Sequence, residues 1–270
     1  MTPLADAALP GGLQSYVDKW QQHEPECALL PIFLAPAART RELCWHSFLH
    51  EFEQTMFAAG EPAVAEVKLR WFVQDLAAGD SARHPLAKSL LAQLKVDAAS
   101  WAALPWNAWL AAATRLGAET EAPVSVEAWL GSWRDFARHL QAIEAAVLGH
   151  SVDARWLAPL LAGRRLLLDL RLRGESATVP LSLWLEGAQQ AGAEQLFGRD
   201  SRPRWQRLSA ALAPGLELKN GVGGALRQLQ ARQLRRHLQH LCRNGVLPEQ
   251  RFSPWQRLWD TWQASRRAAS

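Results

Sequence analysis

Trp45, Phe48, Leu49, Phe52 and Met56 recur at spacings of three and four, so a helix over Arg39–Met56 gathers them on one buried face. No other feature restricts the fold as much, because segments of the same kind follow one another along almost the whole chain. A second helix is expected after Gly60, Glu61 and Pro62, with Val64, Val67, Trp71 and Leu76 as its apolar positions and its end before Gly79. A third covers Pro85–Leu94, and WAALPWNAWLAAATRLG supplies one or two more, closed by Gly117. In SVEAWLGSWRDFARHLQAIEAAVLG, Ser125 is a good N-cap and Gly149 a stop, and ARWLAPLLAGRRLLLDLRLRG closes at Gly174. The section Gly187–Gly223 is richer in Gly and Pro and is expected to hold shorter helices, before GGALRQLQARQLRRHLQHLCRNG and SPWQRLWDTWQASRR finish the chain. Nothing of useful length alternates with the period of a strand, and no repeat or long linker divides the sequence. The expected fold is all-α, one large helical bundle over residues 1–270, with about 12 residues at the N-terminus and about five at the C-terminus left out of it.

Almost half of the residues are apolar, 49%, which is enough for a sizeable core, and Ala, Leu, Arg and Gln outweigh the β-branched types. Fourteen Trp stand against one Tyr, and large rings for core and interfaces are their simplest use. A net charge of +4 and a pI near 9.3 suit an anionic partner such as diphosphate or lipid headgroups. The basic residues are interleaved with Glu and Asp and form no nucleic-acid motif, so no nucleic-acid partner is expected. A helical nucleic-acid binder is the third class of reading, resting on charge alone and implying binding that falls steeply with salt. Cys27, Cys44 and Cys242 have neither metal nor redox spacing, and their odd number argues against a disulfide framework; a reducing cytoplasm is the expected setting. MTPLADAALPGG lacks the basic-then-apolar pattern of a signal peptide. The uncharged stretch 98–114 carries Pro105, Asn107 and many alanines and makes a poor membrane span.

Several segments, taken in order, carry a resemblance. They are FLAP (Phe33–Pro36), ARTRELCWHSFLHEFEQ, AVAEVKLRWFVQDL, HPLAKSL, the long segment from Ser125, and RRLLLDLRLRGESATVPLSLWLEGAQQAG. Their succession resembles the squalene and phytoene synthase family over most of the chain. The resemblance implies the isoprenoid synthase type of helical bundle with a central cavity. Members condense two prenyl diphosphates head to head. Two aspartate-rich motifs on facing helices hold the Mg²⁺ ions that grip the diphosphate as it leaves. The family also includes a non-catalytic relative that assists assembly of a respiratory complex.

Carried over residue by residue, both motifs are degraded. Helical residues four apart lie about 40° from one another and can share a metal, whereas residues two apart lie about 200° apart. The first motif falls on Glu53 to Phe57, so Glu53 stands for the first acid and Phe57 replaces the last. Glu51 points away from Glu53, and an alignment shifted to Glu51 leaves Thr55 as its partner. In the second motif Asp169 matches the first acid and Arg173 replaces the next, and an Asp169–Arg173 surface pair worth about 0.3–0.5 kcal/mol is expected. Neither site makes a magnesium cage, so no metal and no cofactor is expected.

Other features have two readings each. His46, His50 and Glu53 lie on one stripe and form either a Zn²⁺-type site, completed by His139 or His150, or the polar flank of an amphipathic helix; the flank is favoured. Trp255, Trp259 and Trp262 form a stripe that docks on a membrane or a partner, or, as favoured, packs on the bundle. Arg232, Arg235, Arg236 and Arg243 either bind anionic lipid heads or form a solvated face. Arg164 and Arg165 either bind diphosphate or solvate their helix, and Asp75 and Lys68 receive no chemistry.

The expected protein keeps the helical fold without magnesium-dependent prenyl transfer, and no residue is assigned as catalytic. It binds an isoprenoid or lipid, or a protein partner, with peripheral contact at the inner face of a membrane as part of the expectation. The alternative is an active head-to-head prenyltransferase in which Glu53 and Asp169 each hold one Mg²⁺.

Overall fold

In the computed structural model the described residues are 11–57, 61–94, 97–119, 121–174, 177–183, 196–198, 201–219, 221–247 and 253–269. They form twelve α-helices and no strand. In chain order these are α1 (Gly11–His23), α2 (Leu30–Phe33), α3 (Pro36–Met56), α4 (Pro62–Ala77), α5 (Pro85–Leu91) and α6 (Ala98–Ala102). There follow α7 (Trp106–Ala118), α8 (Val126–Leu148), α9 (Ala154–Arg173), α10 (Arg202–Leu216), α11 (Gly224–Asn244) and α12 (Pro254–Ala269). The all-α class expected from the periodicity is therefore what the chain adopts. The first ten residues, and the whole stretch 184–195 after the second motif, lie outside the described residues, whereas α12 continues to Ala269.

Local chemistry sets many of the boundaries. Proline occupies the first turn of α2, α3, α4, α5 and α10, where its missing N–H has no helical partner to lose. Ser125 Oγ accepts the Ala128 N–H at 3.1 Å at the start of α8, and Gly149 ends that helix in the left-handed region at φ 77°. Asp75 on α4 accepts the N–H groups of Arg83 and His84 at 2.7 and 2.8 Å, which fixes the turn into α5. The segment that gave Asp75 no role in sequence thus holds two backbone donors.

α3 is the central helix. It packs against α1, α4, α5, α7 and α8, while α9 joins α8 to α10 and α11, and α12 lies on α11. Phe52 stacks on Trp109 at 4.2 Å, and Trp45, Phe48 and Phe136 extend this aromatic core. Two buried indoles find carbonyl acceptors: Trp101 donates to Leu76 at 2.8 Å and Trp205 to Leu196 at 3.1 Å. A smaller cluster of Val17, Trp20, Leu30, Leu43, Leu226 and Leu229 fastens α1 and α2 to α3 and α11. Gly215 lets α10 touch α9, since a Cβ there would lie 2.5 Å from the Leu160 nitrogen.

Two expectations need correction. On α4 the buried face is Leu69, Phe72, Val73 and Leu76, while Val64, Val67 and Trp71 are exposed. The helix has apolar residues on both sides, and the face that meets α3 and α7 is the one that is buried. On α12 the buried residues are Asp260, Thr261 and Ala264, whereas Trp255 and Trp259 are 79% and 52% exposed. Trp255 and Trp259 therefore do not pack on the bundle, Trp262 is half-buried, and the polar face of the helix is the one turned inward. Among the described residues no helix is long and apolar enough to cross a membrane.

Candidate functional site

The polar residues of α3 lie inside the molecule. Glu42, His46, His50 and Glu53 follow one another at spacings of three and four, and the first three are almost fully buried. The polar flank, expected in water or hydrogen-bonded to a neighbour, lies inside the molecule. His46 Nε2 donates to Glu42 at 3.1 Å, and His150, arriving from the turn after α8, donates to the other carboxylate oxygen at 2.8 Å. Burial alone would raise the Glu42 pKa; the two imidazole donors bring it down to about 2. The His50 ring lies 4.9 Å from that of His23, and its Nε2 finds no partner among the described residues. Burial pushes the His50 pKa down to about 4, so this imidazole is neutral at pH 7.

His46, His50 and Glu53 share a stripe without sharing a centre. His46 is spent on Glu42, His150 joins Glu42 rather than His50, and the charges nearest His139 are Arg138, Asp135 and Arg115. Among the described residues no three His, Cys, Asp or Glu side chains are grouped to hold a metal.

The cleft beside this stripe is a cavity of about 100 Å³ bounded by the turn after α1 and by α3, α8, α9 and α11. Its polar wall includes Glu24, Glu53, Arg164, Arg165, Arg171 and Gln230. Its apolar wall is Trp133, Leu161, Leu167, Leu168 and Leu234. A second space of about 10 Å³ continues past Glu53 and Arg164 toward Trp20, His46 and Arg227.

Glu53 of the first degraded motif lines this cleft, and Arg165 on its wall reaches both Phe57 and Asp169. Arg165 donates to Asp169 from Nε at 3.1 Å and from a terminal nitrogen at 2.6 Å. The same guanidinium lies over the Phe57 ring, 4.1 Å from its centre. The ring that replaces the last acid of the first motif and the acid that opens the second are thus joined through one fixed cation. The expected partner of Asp169 is corrected accordingly: Arg165, one turn earlier, replaces Arg173. Arg173 is exposed in the last turn of α9, whereas Arg165 is held over the cleft by Phe57.

Arg164 makes a 2.6 Å ion pair with Glu24. Burial would raise the Glu24 pKa, but Arg164 together with His50 holds this carboxyl below its ordinary value. Glu53 is the reverse case, since burial dominates and raises its pKa even with Arg164 nearby. Deeper still, Arg227 on α11 pairs with Glu144 on α8, both almost fully buried, and donates to Gln230 at 2.8 Å. Trp45 donates to the same Glu144 at 3.3 Å, and Gln230 reaches Glu24 at 3.4 Å. The cleft is thereby tied by hydrogen bonds to the aromatic core.

The magnesium that the resemblance implies does not fit these residues. A hard divalent cation needs several free oxygen ligands. Here Asp169 is engaged at both oxygens by Arg165, Glu24 is paired with Arg164, and Phe57 offers no oxygen.

Sequence reasoning found Glu53, Arg164 and Arg165, which line the cleft, and Phe57 and Asp169, which hold Arg165 at its wall. It missed Glu24, Glu144, Arg227 and Gln230. A signal existed for Glu144, which interrupts the apolar run Leu140, Ile143 and Val147 on the buried side of α8. The fold and site together define an all-α protein with an internally neutralised, arginine-lined cleft. Compared with protein-family models, with curated proteins and with solved structures, the chain finds no match.

Proposed function

We propose that this chain is a divergent relative of the squalene and phytoene synthases that binds an amphiphilic anion, an isoprenoid or lipid with a charged head, and does not expel diphosphate with magnesium. The observation that carries the reading is the bridge Phe57–Arg165–Asp169, which puts a guanidinium between the last position of the first motif and the first position of the second. Arg164, Arg165 and Arg171 supply donors for the head, and Trp133, Leu161 and Leu168 supply the apolar contact. A cavity of about 100 Å³ takes a headgroup and the first part of a chain. The remainder follows α9 outward from Leu168 to the exposed Leu172, one turn further on.

The test uses farnesyl phosphate and farnesyl diphosphate as probes, with Mg²⁺ or with a chelator. Calorimetric binding that is insensitive to the chelator, is weakened at least about tenfold by Arg164→Met or Arg165→Met, and yields no pyrophosphate is the expected outcome. Magnesium-dependent release of pyrophosphate that disappears in Glu53→Gln or Asp169→Asn overturns the reading in favour of a prenyltransferase.

A further inference from the structure

α12 is an amphipathic helix mounted with its polar face inward. Asp260 is buried and paired with Arg232 at 2.7 Å and Arg236 at 2.6 Å, both from α11. Thr261 is buried beside it, and Arg257 reaches the Pro25 carbonyl at 3.4 Å. These bonds fix which way the helix faces, and they leave Trp255, Leu258 and Trp259 exposed on the opposite side. Trp262 packs against Trp259 with ring centres 4.8 Å apart, and the Arg266 guanidinium lies over the Trp262 ring at 5.2 Å. Ile32, on the α2 helix that packs against α12, is exposed as well.

Along the flank of this helix runs a separate cavity of about 170 Å³ whose charged lining is Arg232, Arg235, Arg236 and Arg267, with Gln228 and Gln239 between them. Asp260 pairs with two of these arginines, Arg232 and Arg236. Exposed indoles with flanking arginines are the pattern of a helix lying in the headgroup layer of a bilayer, the rings at the acyl boundary and the cations at the phosphates. The exposed indoles alone form a face that would suit a water-soluble partner protein equally well. The arginine groove beside it is what favours an anionic lipid surface.

We infer that α12 docks this protein onto anionic membranes, with Trp255, Leu258 and Trp259 entering the interface and the groove of Arg232, Arg235, Arg236 and Arg267 receiving lipid phosphate. The inference stands apart from the cleft and holds whatever the cleft binds.

The test is co-sedimentation of the full chain with vesicles of phosphatidylcholine alone or mixed with phosphatidylglycerol, at low and high salt. Binding is expected with the mixed vesicles only, and is reduced by salt. The Trp255→Ser/Trp259→Ser double variant loses at least about tenfold in partitioning. Arg267→Gln loses about fivefold, one surface arginine at about 1 kcal/mol. These residues are outside the packed core, so an unchanged thermal midpoint shows that the variants are folded. Sucrose-loaded phosphatidylcholine vesicles binding equally well, or a double variant that binds as the parent does, overturns the inference. So does the absence of vesicle binding combined with a concentration-dependent dimer that the double variant abolishes, since a second copy would then cover the stripe.

Discussion

Acidification tests the state assigned to His50. The imidazole is buried in α3, has no hydrogen-bond partner at Nε2 among the described residues, and is held down to about 4 by burial. Glu24 and Glu51 pull the value up, while His23 and Lys19 add to the depression. In the unfolded chain the value returns to about 6.5. Below that pH the unfolded state binds a proton that the folded state refuses, so stability falls as pH drops from about 6.5 toward about 4. With these two values the loss between pH 8 and pH 5 is about 2 kcal/mol. His237, likewise brought to about 4 by burial and Arg171, contributes a loss of the same size. Glu42 titrates near 2 and stays ionised throughout this window. Glu53, whose pKa is raised by burial, takes up its proton earlier when folded and works in the opposite direction. The measurement is urea unfolding followed by tryptophan fluorescence at both pH values, for the parent and for His50→Gln. The difference in stability between the two pH values should shrink by about 2 kcal/mol in the variant, whatever the variant does to stability at pH 8. An unchanged difference would refute the claim that this imidazole is buried and neutral.

Removing one member of the Glu144–Arg227 pair is costly because the other is left buried and charged; Arg227→Met should destabilise by about 3–5 kcal/mol in the same urea assay, and adding Glu144→Leu should recover part of it. Gly215→Ala brings a methyl group against the backbone of α9 and should lower stability by about 1–3 kcal/mol, read as a drop in the thermal midpoint. Asp75→Ala orphans the Arg83 and His84 N–H groups, and calorimetry should register a loss of about 1–3 kcal/mol together with faster amide exchange at the start of α5.

Features decided within one turn of the chain were readable in sequence. Ser125, Gly149 and Gly174 bound their helices where expected, because capping depends on local backbone geometry, whereas α7 runs through Gly117 to Ala118. The face of α4 was not readable. Val64, Val67 and Trp71 compete with Leu69, Phe72 and Val73, and only the neighbouring helices choose between them. Asp169 poses the same difficulty on a smaller scale, with an arginine four residues away on either side. The choice of Arg165 depends on Phe57, more than 100 residues earlier in the chain. The outward turn of the α12 tryptophans depends on Asp260 finding Arg232 and Arg236, a partnership between helices that no spacing within α12 encodes. Glu24 and Gln230, which complete the polar wall, are single residues in unremarked segments that only tertiary contact brings together.

The Arg165 guanidinium between Phe57 and Asp169 also bears on supply. A positive charge attached through three methylenes to its own helix cannot be diluted, exchanged for another ion or stripped by chelators. Its local concentration is set by the backbone and stays constant through any change in cellular magnesium. An anion bound as proposed would meet the same guanidinium every time, and that cation could never depart with it.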